Sequence, residues 1–204
     1  LILVDQQRQP QHWNQPNLPS MRLLRQHGVT FGGAFCNSCM CSPSRTTMFT
    51  SLHPSQHGVT DTLTYGGKYA VPQQGLDNSI PNLATLMSPL YDVQYRGKFH
   101  LTKGGQNYVH AVEKGLMASE VAVLGWKGWI APDAGEDTKL ENFGGGYANH
   151  DARYVSEAID FLHDYQARKA AGTERRPFFL TLSLVNPHDV LSFPNFYREG
   201  GYGD

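Results

Sequence analysis

Four short polar clusters in this 204-residue chain combine residue types and spacings that can do chemistry. The first is Cys41-Ser42-Pro43-Ser44-Arg45, followed by Thr46-Thr47-Met48-Phe49-Thr50-Ser51. Pro43 fixes φ and lacks an N–H, so it suits the first turn of a helix, and Ser42 suits the N-cap before it. The free N–H groups of such a helix start favour an anion close to Cys41, and Arg45 adds a permanent planar cation one turn on. The same residues also read as an ordinary proline-started helix with a buried cysteine and a surface arginine. The second cluster is Gly97-Lys98-Phe99-His100-Leu101. On an extended strand Lys98 and His100 share a face about 7 Å apart, placing a fixed cation beside a titratable group. Asp5-Gln6 offers a carboxylate and an amide carbonyl, hard oxygen donors suited to calcium, magnesium or manganese. Asn186-Pro187-His188-Asp189 delivers a further imidazole. Taken singly, the last three also read as an exposed strand edge, a solvated loop and a turn.

The elements that must position these clusters are strands ending at them. Leu1 to Val4 is an all-apolar run of the buried, parallel type, and Asp5 follows at its carboxyl end, where open α/β sheets bind ligands. A helix is predicted from Asn17-Leu18-Pro19-Ser20 to about Gln26, closed by Gly28, with a strand over Val29 to Phe35 leading to the cysteines. The motif helix runs to about Leu52. His53 reads as a loop residue and His57 as a side chain packed beneath that helix. A polar excursion over 60–78 precedes a helix from Ser79, as N-cap, to Met87, then a strand from Tyr91 to Arg96. Residues 104–150, rich in Gly, Trp and Asp, read as an insertion or an exposed hairpin. Trp126 and Trp129 would there line a pocket or pack beneath a loop. A long amphipathic helix over about 151–171 carries Tyr154, Val155, Ala158, Ile159, Leu162 and Tyr165 as its stripe, with Glu157, Asp160 and Asp164 on its solvated face. Phe178 to Val185 is the strongest strand signal and ends at Asn186-Pro187-His188.

Composition narrows the function classes. Hydrophobic content of 40% with 17% charge is that of a globular protein able to bury a core. A net charge of -1 gives no electrostatic case for nucleic acid or an anionic membrane as partner, and no apolar run approaches a membrane span. The three cysteines, at 36, 39 and 41, cannot all pair within the chain. Such a cluster can hold zinc or a redox partner, but no second cysteine pair completes a structural site.

Cys41-Ser42-Pro43-Ser44-Arg45-Thr46-Thr47 resembles the signature of the formylglycine-dependent sulfatases. Cys39 and Ser51 depart from the common family pattern, at positions other than its Cys, Pro and Arg. Asp5-Gln6 is similar to the family's opening metal pair, and Pro54-Ser55-Gln56-His57-Gly58-Val59 to its "P-x-x-H-G-V" turn. Leu83-Ala84-Thr85-Leu86 lies at the place of its "L-A-x-x-L" helix. Gly97-Lys98-Phe99-His100-Leu101 matches its Gly-Lys-Trp-His-Leu with Phe for Trp, and Pro187-His188 its short Pro-His segment.

The resemblance implies an α/β fold of the alkaline phosphatase/sulfatase type, a mostly parallel central sheet flanked by helices. It implies a formylglycine derived from Cys41, whose hydrated aldehyde supplies the nucleophile for sulfate-ester hydrolysis. A divalent metal, calcium by family habit with manganese or magnesium open, would sit at Asp5, Gln6 and the modified Cys41. Arg45 and Lys98 would neutralise charge, His188 would assist the departing alcohol, and His100 would orient or deprotonate the second hydroxyl. The implied partners are a small-molecule or carbohydrate sulfate ester and a formylglycine-generating enzyme. Family members complete the metal site with an Asp followed by Asn or His, and a further Lys, on later strands. Asp189 and Asp204 lack that setting. The expectation is therefore that residues 1–204 form the N-terminal part of a catalytic domain, binding metal weakly and turning over poorly alone. A phosphonate monoester or phosphodiester hydrolase of the same superfamily, and an inactive sulfatase-like fragment, are the alternatives.

Overall fold

A computed structural model describes residues 1–8, 18–63, 73–102, 111–131, 133 and 149–188. Asn17, the middle of the 60–78 excursion, residues 104–110, 132 and 134–148 with Gly144 to Gly146, Asp189 and Asp204 lie outside the described residues.

Three strands, β1 (Ile2–Val4), β2 (Asp92–Gly97) and β3 (Phe178–Leu184), form a parallel sheet in the order β1-β3-β2. Val4 lies opposite Leu184 and Gly97 opposite Ser183, so all three strands finish at one edge. That common edge delivers Asp5, Lys98 and the 185–188 segment to the same place, as expected for an open α/β sheet. Gly97 permits the turn out of β2: its φ is 96°, and a Cβ there would meet the Ser183 carbonyl at 2.0 Å. Released from the strand, Lys98 donates its amide to that same carbonyl at 3.0 Å.

The sheet is covered on both faces. On one face Val93 and Tyr95 of β2 pack with Phe49 of α2 (Cys41–Thr50), Ala84 of α4 (Leu83–Met87) and the end of α5 (Ala111–Val123). Trp126 anchors this core, with ring centroids 5.3 Å from Phe49 and 5.1 Å from Tyr95. Burial of such aromatics is the largest favourable contribution available to a core of this size. On the other face, α6 (Asn149–Ala170) lies against β2 and β3 through Tyr154, Phe161 and Tyr165. Two helices complete the described elements, α1 (Pro19–His27), which buries none of its residues, and α3 (Pro54–His57). No described helix is long and apolar enough to cross a membrane.

Several elements differ from the sequence expectation, each for a physical reason. Val29 to Phe35 forms no strand; Val29, Phe31 and Phe35 are exposed, and no described strand pairs with them. Leu1, Ile2 and Val4 are exposed because β1 stands at the sheet edge with a single described neighbour. Asn82, not Ser79, caps α4, because its Oδ1 accepts the Ala84 amide at 2.8 Å while Ser79 turns back to Asp77. Gly28 follows α1 in extended conformation, so it is not a left-handed cap. On α6, Phe161 belongs to the buried stripe and Val155, Ile159 and Leu162 do not. Glu157 is half-buried beside Arg153, and burial raises its carboxyl above the usual range. Trp126 and Trp129 are core residues: the 126–129 stretch pairs with β2 through Lys127 and donates the Trp129 indole N–H to the Gly97 carbonyl at 2.9 Å.

Candidate active site

Cys41 is the first residue of α2, with Met40 as its N-cap. The helix therefore starts two residues earlier than Ser42 as N-cap and Pro43 as first helical residue imply. Ser42 is buried and uses its Oγ to accept the Leu63 amide at 3.1 Å. Beneath the helix, His57 accepts the Val59 amide on Nδ1 and meets the Thr47 hydroxyl through Nε2. Burial lowers its pKa, so it serves as a neutral strut. His53 stays exposed at the N-cap of α3.

A cleft of about 550 Å³ opens at the sheet's carboxyl edge, lined by Asp5, Gln6, Cys41, Arg45 and His188 among others. That volume is in the range of small-molecule sites. Lys98 and His100 are fully buried directly behind it. Lys98 Nζ forms an ion pair with Asp5 Oδ2, and His100 and His188 lie close enough to Cys41 to act on its thiol. The structure thus brings all seven sequence-identified residues to one end of the sheet. Lys98 and His100 do not arrive there by strand alternation: β2 has already ended at Gly97, and His100 has a left-handed backbone with φ 57°.

The histidine geometry restricts proton traffic. The Leu63 carbonyl can only accept, so the contact with His100 Nε2 fixes the proton on that nitrogen. Nδ1 is then the nitrogen available toward position 41. His188 is held by its own amide, which donates to the Val185 carbonyl at 3.0 Å. The 185–186 backbone is fixed in turn by Asp151, whose carboxylate accepts the Val185 and Asn186 amides at 2.7 and 3.0 Å.

Arg45 is buried, and its donors go to the protein itself. Nε donates to the Phe99 carbonyl at 2.9 Å, while Nη2 reaches the Tyr95 hydroxyl at 2.8 Å, the Ser183 hydroxyl at 2.7 Å and the Lys98 carbonyl. Its charge still faces the cleft and acts on Asp5. Tyr95 and Ser183 escaped sequence reasoning because each looks like an ordinary strand residue; only their contact with Arg45 gives them a role.

The electrostatics follow from these partners. Burial alone would raise the Asp5 carboxyl, but Lys98, then Arg45, with a smaller part from His188, holds it below the ordinary range. Burial would likewise raise the Cys41 thiol; hydrogen bonds from His100 and His188 and the charge of Lys98 outweigh it and bring the thiol down to about 4. In unconverted protein Cys41 is accordingly a thiolate throughout pH 5.5–7.5, the group being deprotonated above its pKa. Its iodoacetamide labelling, followed on the Cys41 peptide by mass spectrometry, should stay nearly level over that window. A tenfold rise per pH unit would contradict the cleft's electrostatics.

The metal expectation meets a shortfall. Asp5 and Gln6 offer suitable oxygens, yet Asp5 is tied to Lys98, and Gln6 is exposed with φ 57°. Among the described residues no group of three or more His, Cys, Asp or Glu side chains is placed to hold a metal ion. Calcium takes roughly six to eight oxygens, so the donor set present is incomplete. Cys36, Cys39 and Cys41 likewise form no such group.

Comparison with known proteins agrees with this geometry. The family model described as Sulfatase matches residues 1–202. The chain is 25% identical to N-acetylglucosamine-6-sulfatase of Capra hircus over 98% of its own length and 35% of that protein. It is 29% identical to arylsulfatase K of Canis lupus familiaris over 86% of its length and 29% of that protein. The chain thus spans about a third of the length of these curated relatives. Its fold is similar to the crystal structure of Ps i-CgsB, with a TM-score of 0.53 at 19% identity over 87% of this chain and 43% of that one. With a parallel α/β sheet, a cysteine at the start of α2 and a family match along nearly its whole length, the chain belongs to the sulfatase family.

Proposed function

We propose that the whole protein hydrolyses sulfate esters at this cleft, with carbohydrate sulfates as the substrate class. The observation that carries the reading is the convergence of Cys41, Lys98, His100 and His188 at one sheet edge in a chain of the sulfatase family. The carbohydrate class rests on relatives named for 6-sulfated amino sugars.

Position 41, converted to formylglycine by a formylglycine-generating enzyme, would supply a hydrated aldehyde: one hydroxyl attacks sulfur and loss of the other's proton later expels sulfate. Around it the chain's own residues take defined tasks. Lys98 and Arg45 place two cationic side chains beside the incoming anion. His188 donates a proton to the departing alcohol oxygen, and His100, protonated on Nε2, accepts a proton at Nδ1 from position 41. Asp5 and Gln6 would contribute oxygens to a divalent metal site, and a metal held there would supply further positive charge beside the sulfate.

Paired assays test the reading with the whole protein. An aryl sulfate and N-acetylglucosamine-6-sulfate should be hydrolysed with kcat/KM well above that for an aryl phosphonate monoester. Preference for the phosphonate would instead identify a phosphonate or phosphodiester hydrolase. No turnover of any of these esters by aldehyde-bearing protein would contradict the proposal.

A further inference from the structure

We propose that Asp133 is a positioning residue for His100, a role that rests on the sulfatase reading of the cleft. Asp133 is buried, and its two carboxylate oxygens divide between consecutive amides. Oδ1 accepts the Phe99 N–H at 2.7 Å and Oδ2 the His100 N–H at 2.6 Å. These are charge-assisted bonds, stronger and more directional than neutral ones.

The clamp acts where the backbone needs holding. His100 carries φ 57°, a conformation that a side chain with a Cβ adopts only when its surroundings over-determine it. Arg45 grips the turn from one side through the carbonyls of Lys98 and Phe99, and Asp133 grips it from the other through the amides of Phe99 and His100. The two charges also attract each other, closing an Arg–backbone–Asp arrangement around three consecutive residues. Asp133 is itself delivered by an anchored stretch, since Trp126 is buried in the core and Trp129 is bonded to Gly97. Were the turn to relax toward extended backbone, the His100 ring would swing away from Leu63 and from position 41. Asp133 touches no reacting atom; it acts through His100.

The test uses the whole protein with Asp133→Asn, nearly isosteric but with one acceptor replaced by an NH2, alongside Asp77→Asn as control. Asp77 also accepts a backbone amide, that of Ser79 at 2.8 Å, but in an exposed loop. Kinetics and hydrogen exchange are read together, with aldehyde content at position 41 measured on every sample. Asp133→Asn should lower kcat by about 100-fold, the loss typical of a misplaced catalytic group, with KM within about threefold of wild type. Amide exchange should rise by about tenfold or more in the 98–101 peptide alone, and Asp77→Asn should change neither readout. Raised exchange with kcat within about threefold of wild type would leave Asp133 a purely structural clamp and overturn the proposal, as would unchanged exchange. If Asp133→Asn does not fold, wild-type protein decides: Phe99 and His100 amides exchanging at core rates support the clamp, and surface-loop rates overturn it. If wild type carries the aldehyde yet hydrolyses no sulfate ester, the proposed function fails, while the exchange comparison still decides whether Asp133 holds the turn.

Discussion

Replacing Cys41 by alanine should abolish the sulfate-ester hydrolysis proposed for the whole protein, lowering kcat by about 10⁴-fold or more, as expected when a covalent nucleophile is removed. The side chain has only a modest structural part. It stands at the first position of α2, where the first backbone N–H groups need no intrahelical partner, and its removal leaves Ser42, Thr46 and Phe49 buried as before. Alanine is also a good helix former. Cys41→Ala should therefore unfold within a few degrees of wild type while losing all turnover. The check is a steady-state assay against an aryl sulfate beside a thermal melt. Residual activity above about 1% of wild type would mean that the reaction runs through some other group.

Arg45→Ala should fail differently, through the fold. Its removal leaves the carbonyls of Lys98 and Phe99 and the hydroxyls of Tyr95 and Ser183, all of buried residues, without their shared donor. It also removes a cation that helps keep Asp5 ionised. Breaking a buried, hydrogen-bonded charge network by deleting one partner costs about 3–5 kcal/mol. For a domain of this size that corresponds to a fall in Tm of roughly 6–20 °C. Arg45→Lys should recover little of this, because an ammonium cannot span the carbonyls and hydroxyls that the planar fork reaches. Urea unfolding of the three proteins measures the effect. A loss below about 1 kcal/mol for Arg45→Ala would contradict the assignment of Arg45 as the anchor of the 98–100 turn.

How much of this was legible in the sequence depended on the range over which each feature is encoded. The ends of β1, β2 and β3 are local: an apolar run stops and a polar cluster begins, which suffices to place Asp5, Lys98 and His188 at one edge. The pairing of Lys98 with His100 was also visible, but not its cause. Strand alternation and a left-handed turn after Gly97 both set residues 98 and 100 near one another, and only the turn is compatible with the contact between Gly97 and Ser183. Val29 to Phe35 misled because apolar residues signal a strand only when a neighbour accepts its hydrogen bonds. Asp133 was invisible for another reason. A carboxylate that binds backbone amides more than thirty residues away leaves no side-chain motif for the sequence to show. The role of Arg45 was half legible: its charge can be read from its type, but its engagement with Tyr95 and Ser183 depends on strands far along the chain. The stripe of α6 shifted toward Phe161 because Phe178 and Arg96 lie opposite it.

The proposed conversion of position 41 from thiol to aldehyde is tested most directly by the mass of the peptide containing it. Protein purified from a host with formylglycine-generating activity should yield that peptide about 18 Da lighter than the cysteine form, and active fractions should track the lighter species. A peptide of unaltered mass from a preparation that hydrolyses sulfate esters would contradict the claim.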